Sequence, residues 1–131
     1  MTFVMDASIT AAWCFPGEDS PAATRAFDRI ARETAAVPAH WWFELRNVLL
    51  VGERRGRLTQ RQTRDLLRLL RDVPIEIDRS PDETGIFDLS RRHGLTFYDA
   101  AYLELALRYG GLVSLDTALL RAAETEGVAT S

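Results

Sequence analysis

Four carboxylates stand where ordinary surface charge does not belong. Asp6 closes the apolar run Thr2-Phe3-Val4-Met5, and Asp116 closes Leu112-Val113-Ser114-Leu115. Asp99 falls in the first turn of an apolar helix pattern, Tyr98-Asp99-Ala100-Ala101-Tyr102. Glu44 lies inside His40-Trp41-Trp42-Phe43-Glu44-Leu45-Arg46-Asn47-Val48-Leu49. Like charges brought together raise one another's pKa, and a divalent cation removes the conflict. Oxygen ligands without a His or Cys cluster suit Mg²⁺ or Mn²⁺. His40, His93 and the single Cys14 have no spacing that resembles a zinc site. A carboxylate-held cation that completes its shell with phosphate can activate water for in-line attack on a phosphodiester.

Each acid also has a structural reading. Asp6 and Asp116 suit helix N-caps. Asp99 would be favourable at the positive end of a helix by about 0.3–1 kcal/mol, although Tyr102 and Leu103, three and four residues on, share its face. Glu44 is the hardest to explain by capping. At about 100° per residue, Trp41, Leu45, Val48 and Val51 define one side of its helix. Glu44 falls on the flank of that arc, with Asn47 as its neighbour, and needs a compensating partner: a cation, or a buried arginine.

Alternating elements must position these residues. Strands are expected at 2–5, 35–37, 75–77, 112–115 and 128–129, and helices at 7–14, 21–33, 40–55, 60–72, 83–92, 98–109 and 117–126. Ser20-Pro21 and Thr59 mark helix starts, and Gly56, Gly94, Gly110 and Gly127 mark stops. Leu66, Leu67, Leu69 and Leu70 are assigned to the buried side of the 60–72 helix. Strands separated by helices imply an α/β fold, a mostly parallel central sheet with helices on both faces. In such sheets ligands bind beyond the carboxyl ends of the strands, where strand order reverses. Asp6 and Asp116 then fall on the same sheet edge.

Bulk properties narrow the class. The 131 residues suit one domain, 1–131, with a sizeable core; 47% are hydrophobic and 27% charged. No apolar stretch can cross a bilayer, and no basic leader precedes a long apolar region, so neither membrane anchor nor signal peptide is expected. One cysteine, read as core, excludes an internal disulfide and suits a cytoplasmic, reducing compartment. A net charge of −3 does not announce a nucleic-acid binder. All sixteen basic residues are arginine. Those clustered from Arg54 to Arg71 read as a solvated helix face or as a patch facing phosphate. Trp41 and Trp42 are assigned to core and interface packing rather than to base stacking.

VMDASI, FELRNVL, LTFYDAAYLELAL and LVSLDTALLRAA, in this order and spacing, resemble the PIN domain, and most closely the VapC-type ribonuclease toxins of bacterial toxin–antitoxin pairs. The resemblance spans nearly the whole chain. It implies a three-layer α/β/α sandwich and an Mg²⁺ or Mn²⁺ pocket made by Asp6, Glu44, Asp99 and Asp116. Ser8, Asn47 and Ser114 match supporting polar positions; Ser114 stands where the family usually has threonine. Thr117 and Ala118 stand where some relatives carry a further acid, which leaves a second metal position open. The resemblance also implies an RNA substrate, a homodimer, and a small antitoxin whose arginine-containing tail enters the acidic pocket.

Two other classes compete with this one. A PIN-like protein-binding module with little or no nuclease activity need not keep four acids. A phosphatase or phosphoacceptor on another doubly wound fold also uses a strand-tip aspartate. A haloacid-dehalogenase-like site wants a second acid at position 8, where Ser8 stands, and a receiver-like domain wants a lysine, of which there is none.

Overall fold

The structure is a computed structural model and describes residues 1–18 and 20–131. Five strands and seven helices alternate along it: β1 (Thr2–Met5), α1 (Ala7–Cys14), α2 (Pro21–Ile30), β2 (Thr34–Val37), α3 (Trp41–Arg54), α4 (Gln60–Leu70), β3 (Ile75–Ile77), α5 (Glu83–His93), α6 (Phe97–Tyr109), β4 (Gly111–Val113), α7 (Thr117–Thr125) and β5 (Ala129–Thr130). The sheet is wholly parallel in the order β3-β2-β1-β4-β5. Val4 is in register with Ala36 on one side and Leu112 on the other, so β1 is central. The chain first builds outward through β2 and β3, then returns to the other side of β1 for β4. Strand order therefore reverses between β1 and β4, the place where an open α/β sheet leaves a crevice.

Burial explains why these segments become these elements. Phe3, Val4 and Met5 are successive residues with no exposure, so both faces of β1 are covered, as parallel sheets require. Helix α6 lies against β1, β2 and β4, with α5 and α7 beside it. Every residue from Ala100 to Ala106 is buried, and a helix buried all round belongs in the middle of a structure. Helices α1, α2 and α3 form a second group, and α4 packs on α3. Indole hydrogen bonds fix this group: Trp13 Nε1 donates to the Ala23 carbonyl (2.7 Å) and Trp41 Nε1 to Thr10 Oγ1 (3.0 Å). Cys14 is buried and free, and burial pushes its thiol up to about 11.

The expected signals hold at most element ends. Thr59 and Gln62 form a reciprocal capping box, and Ser20 accepts from the Ala23 amide. Gly94 and Gly110 end α5 and α6 at φ of 65° and 92°, the left-handed conformation that a side chain resists. Four differences have local causes. Helix α2 stops at Ile30, not residue 33, because Thr34 must already lie beside Met1 and Thr2. Helix α4 stops at Leu70, where Arg71–Val73 turn into β3. Leu69 is 66% exposed, outside the half-buried arc of Leu66, Leu67 and Leu70. Strand β4 ends at Val113, since Ser114 turns inward to Asp6 and Leu115 turns out to solvent.

Candidate active site

The β1–β4 crevice is where the chain concentrates its unusual side chains. Asp6 follows β1 directly, caps α1, and is buried. One carboxylate oxygen accepts from the Ser8 amide (3.1 Å), the Ile9 amide (3.4 Å) and the Ser8 hydroxyl; the other accepts from the Ser114 hydroxyl. The serines carry the network across the crevice. Ser8 Oγ accepts from the Leu115 amide (3.1 Å), and Ser114 Oγ accepts from the Asp116 amide (2.9 Å). Capping and chemistry are thus not exclusive at Asp6. Burial still outweighs all these bonds and raises its pKa, so the ionised form is short of compensation.

Asp116 is exposed and caps α7 through one oxygen, which accepts from Ala118 (2.9 Å) and Leu119 (3.1 Å). Its second oxygen is not used by that cap. Asp99 is half-buried in the first turn of α6, with Thr96 as the cap beneath it. Burial, and then the negative field of Asp116, raise the Asp99 pKa. The ends of α6 and α7 are therefore close enough for their acids to repel.

Glu44 is half-buried on the α3 flank, as its helical phase predicts, but its partners are not arginines. The Tyr102 hydroxyl donates to Glu44 Oε1 (2.7 Å), and His40 Nε2 lies 3.5 Å from the same oxygen. Tyr102 is 1% exposed, and its hydroxyl also meets the Ala7 amide, one residue after Asp6. Burial and Glu44 hold its phenol well above the ordinary range, so it stays a donor. His40 packs against the Tyr98 and Tyr102 rings (5.3 and 5.0 Å). Burial pulls its pKa down against the opposing pull of Glu44, the Tyr98 backbone and Asp99. Its Nε2 is buried without a hydrogen-bond partner. Asn47 is exposed and lines a cleft with Ala11, Phe15 and Glu18. Tyr102 and His40 are the residues that sequence reasoning passed over, although Tyr102 lies three after Asp99 and His40 four before Glu44.

Asp6 and Asp116 thus stand at the tips of β1 and β4 and are linked through Ser114, Asp99 lies within the field of Asp116, and Tyr102 holds Glu44. Among the described residues no three His, Cys, Asp or Glu side chains converge closely enough to cage an ion by themselves. Such an open, oxygen-only set fits Mg²⁺, which keeps several waters and needs only one or two protein carboxylates. Asp6, raised by burial, and Asp99, raised by burial and then by the charge of Asp116, are carboxylates that a divalent cation would neutralise.

Comparison with known proteins identifies the family and the fold. The model of the PIN domain family matches residues 3–125. The chain belongs to the PIN domain family. "Ribonuclease VapC3" of Pyrobaculum aerophilum is 34% identical over 124 residues, 91% of this chain and 92% of that protein. Among solved structures, PAE2754 from Pyrobaculum aerophilum has a TM-score of 0.72 at 24% identity, covering 99% of this chain and 92% of that one. FitAcB from Neisseria gonorrhoeae has a TM-score of 0.67 at 16% identity, covering 99% and 96%. These two likenesses concern the fold. The five-stranded parallel sheet and its helices are those of a PIN domain, and the acids of this PIN domain stand at its switch point.

Proposed function

We propose that the chain is a metal-dependent endoribonuclease that hydrolyses RNA phosphodiester bonds as the toxin of a toxin–antitoxin pair. The observation that carries this reading is Asp6, a carboxylate buried at the tip of the central strand and still short of compensation after capping a helix and binding two serines. The 34% identity to a protein named a VapC ribonuclease supports the same substrate class.

Bound Mg²⁺ or Mn²⁺ would polarise the scissile phosphate and lower the pKa of a bound water. Asp6, Asp99 and Asp116 are the carboxylates placed to hold the ion. Ser8 and Ser114 fix both oxygens of Asp6 by hydrogen bonds, so its position is set before any ligand arrives. Tyr102 occupies Glu44 Oε1 and leaves Oε2 to ligate or to orient the attacking water.

The partners follow from the same reading. The negative pocket suits an arginine of a small antitoxin, which would compete with the cation. The exposed Phe87–Phe97 pair on α5 and α6, with ring centroids 4.8 Å apart, is a surface that a second copy would cover in a homodimer. No helix of the described residues is long and apolar enough to cross a membrane, and we place the protein in the cytoplasm as a single PIN domain over residues 1–131. The direct test is cleavage of single-stranded RNA with Mg²⁺ or Mn²⁺, with and without EDTA, for wild type and Asp6→Asn. Cleavage that EDTA abolishes and Asp6→Asn lacks is expected. Equal cleavage by the variant, or in EDTA, contradicts the proposal.

A further inference from the structure

The chain is net negative, yet half of its sixteen arginines lie between Arg46 and Arg71, where the only acids are Glu53 and Asp65. Charge is therefore polarised, with a basic flank on α3 and α4 beside an acidic crevice. Two of these arginines share one cleft. Arg46 of α3 and Arg71, the C-cap residue of α4, line it with Trp42, Leu70 and Ile77. Arg46 is held in place: its guanidinium lies 3.7 Å over the Trp42 ring and donates to the Trp42 carbonyl at 3.0 Å. Burial, and then the field of Arg71, press its pKa below the ordinary range. Arg29, Arg57, Arg92 and Arg108 each meet a carboxylate at 3.2 Å or less, whereas among the described residues neither Arg46 nor Arg71 has one in ion-pair range. Two guanidiniums held within each other's field without a counter-ion are a ready site for an anion.

Exposed aromatic rings adjoin this pair on α3. Phe43 and Trp42 directly precede Glu44 in the first turn of α3, are 70% and 42% exposed, and lie edge to face at 5.0 Å. Cations in line with exposed aromatic rings are what a single-stranded nucleic acid uses, the rings taking bases and the cations taking phosphates. A planar guanidinium fork matches a phosphodiester, and Arg46 has already lost its freedom to the indole, so little ordering remains for the ligand to impose. We infer that Arg46 and Arg71 bind a phosphodiester of the RNA substrate outside the scissile bond, with Phe43 and Trp42 as the adjoining stacking surface.

This inference rests on the ribonuclease reading and deepens it. Binding of a fluorescent single-stranded RNA oligonucleotide, followed by anisotropy in EDTA so that nothing is cut, tests it with the full chain. Wild type, Arg46→Ala, Arg71→Ala, the double variant and Arg64→Ala are compared across a salt series, with circular dichroism as a check of folding. Each single change is expected to weaken binding about five- to tenfold and to flatten the slope of log affinity against log salt by about 0.7. The double variant should fall short of the product of the singles, because both side chains serve one phosphate. Arg64→Ala, outside the cleft, should change binding by less than about twofold. Arg46→Lys, which keeps the charge and loses the fork, should bind between wild type and Arg46→Ala.

Wild-type affinity and salt slope in the Arg46 and Arg71 variants, while wild type binds and cuts RNA, would overturn the subsite and leave the ribonuclease reading standing. Unaltered RNA binding together with lost binding of an acidic antitoxin segment would reassign the pair to a protein partner and equally overturn it. Failure of the wild type to bind or cut RNA would overturn the ribonuclease reading itself.

Discussion

Two groups of carboxylates in this molecule share a helix and behave in opposite ways. Around the C-terminal half of α6, Glu104 is 6% exposed but accepts from Arg108 at 2.6 and 2.9 Å and from the Asp82 amide at 3.0 Å. Arg108 also forks onto Asp78 at 3.1 and 2.8 Å, tying the end of β3 to α6. Glu126 similarly takes Arg92 (2.8 Å) and His93 (2.6 Å), fastening α5 to the end of α7. The pKa values of Asp78 and Glu126 are lowered, chiefly by their arginine partners. At the other end of α6, Asp99 faces Asp116, Asp6 has only hydroxyls and amides, and both Asp99 and Asp6 are raised. Full pairing marks a brace, and incomplete pairing in a crevice marks a site.

The largest effect expected from breaking this comparison is catalytic. Asp6→Asn and Asp99→Asn should each lower metal-dependent RNA cleavage by about a hundredfold or more while the chain stays folded, because Asn keeps the shape, and at position 6 the cap, but not the charge. Single-turnover cleavage rates check this. Next comes the brace. Arg108→Ala leaves buried Glu104 and half-buried Asp78 without their common partner and should cost about 1–3 kcal/mol in urea unfolding, tempered by the exposure of Arg108. The rate per folded molecule should not change.

Tyr102→Phe removes one hydroxyl from between Glu44 and the Ala7 amide. About a tenfold loss in kcat with little change in KM is expected, since Glu44 stays but is no longer held. A loss confined to KM would show that Tyr102 serves substrate binding instead.

The smallest effects concern stability and separate the two groups by sign. A raised aspartate pKa means that the folded chain holds the proton more tightly, so stability falls as pH rises from the ordinary value through the folded one. Asp99→Asn should therefore stabilise the metal-free protein at neutral pH, by under about 1 kcal/mol because solvent screens a half-exposed group. Glu126→Gln should do the reverse, with a small loss at neutral pH. Its lowered pKa contributes stability above the ordinary carboxylate range that is lost as pH falls through the folded value. Melting temperatures from pH 3 to 8 distinguish the two.

Much of this was legible in the sequence, for reasons that can be named. Apolar runs and glycine stops located the sheet and most helix ends, because backbone geometry is enforced locally. Asp6 and Asp116 were readable as strand-end residues from adjacent sequence alone, and Glu44 from helical phase. Tyr102 as the partner of Glu44 was not readable, since they are 58 positions apart in the chain and only the tertiary fold brings their side chains together. The early end of β4 was hidden too. Leu115 looks like strand by composition, but the bonds of Ser114 to Asp6 and to the Asp116 amide turn the chain before it. Asn47 illustrates the limit of neighbour counting: three residues from Glu44, it points toward the α1–α3 cleft.

The central claim is that Asp6, Asp99 and Asp116 form a divalent-cation site. Calorimetric titration of Mn²⁺ into wild type, Asp6→Asn and Asp99→Asn, at a pH where the carboxylates are ionised, addresses it most directly. The account predicts saturable binding to wild type and at least about tenfold weaker binding to each variant. Binding of Mn²⁺ to both variants with wild-type affinity would contradict it.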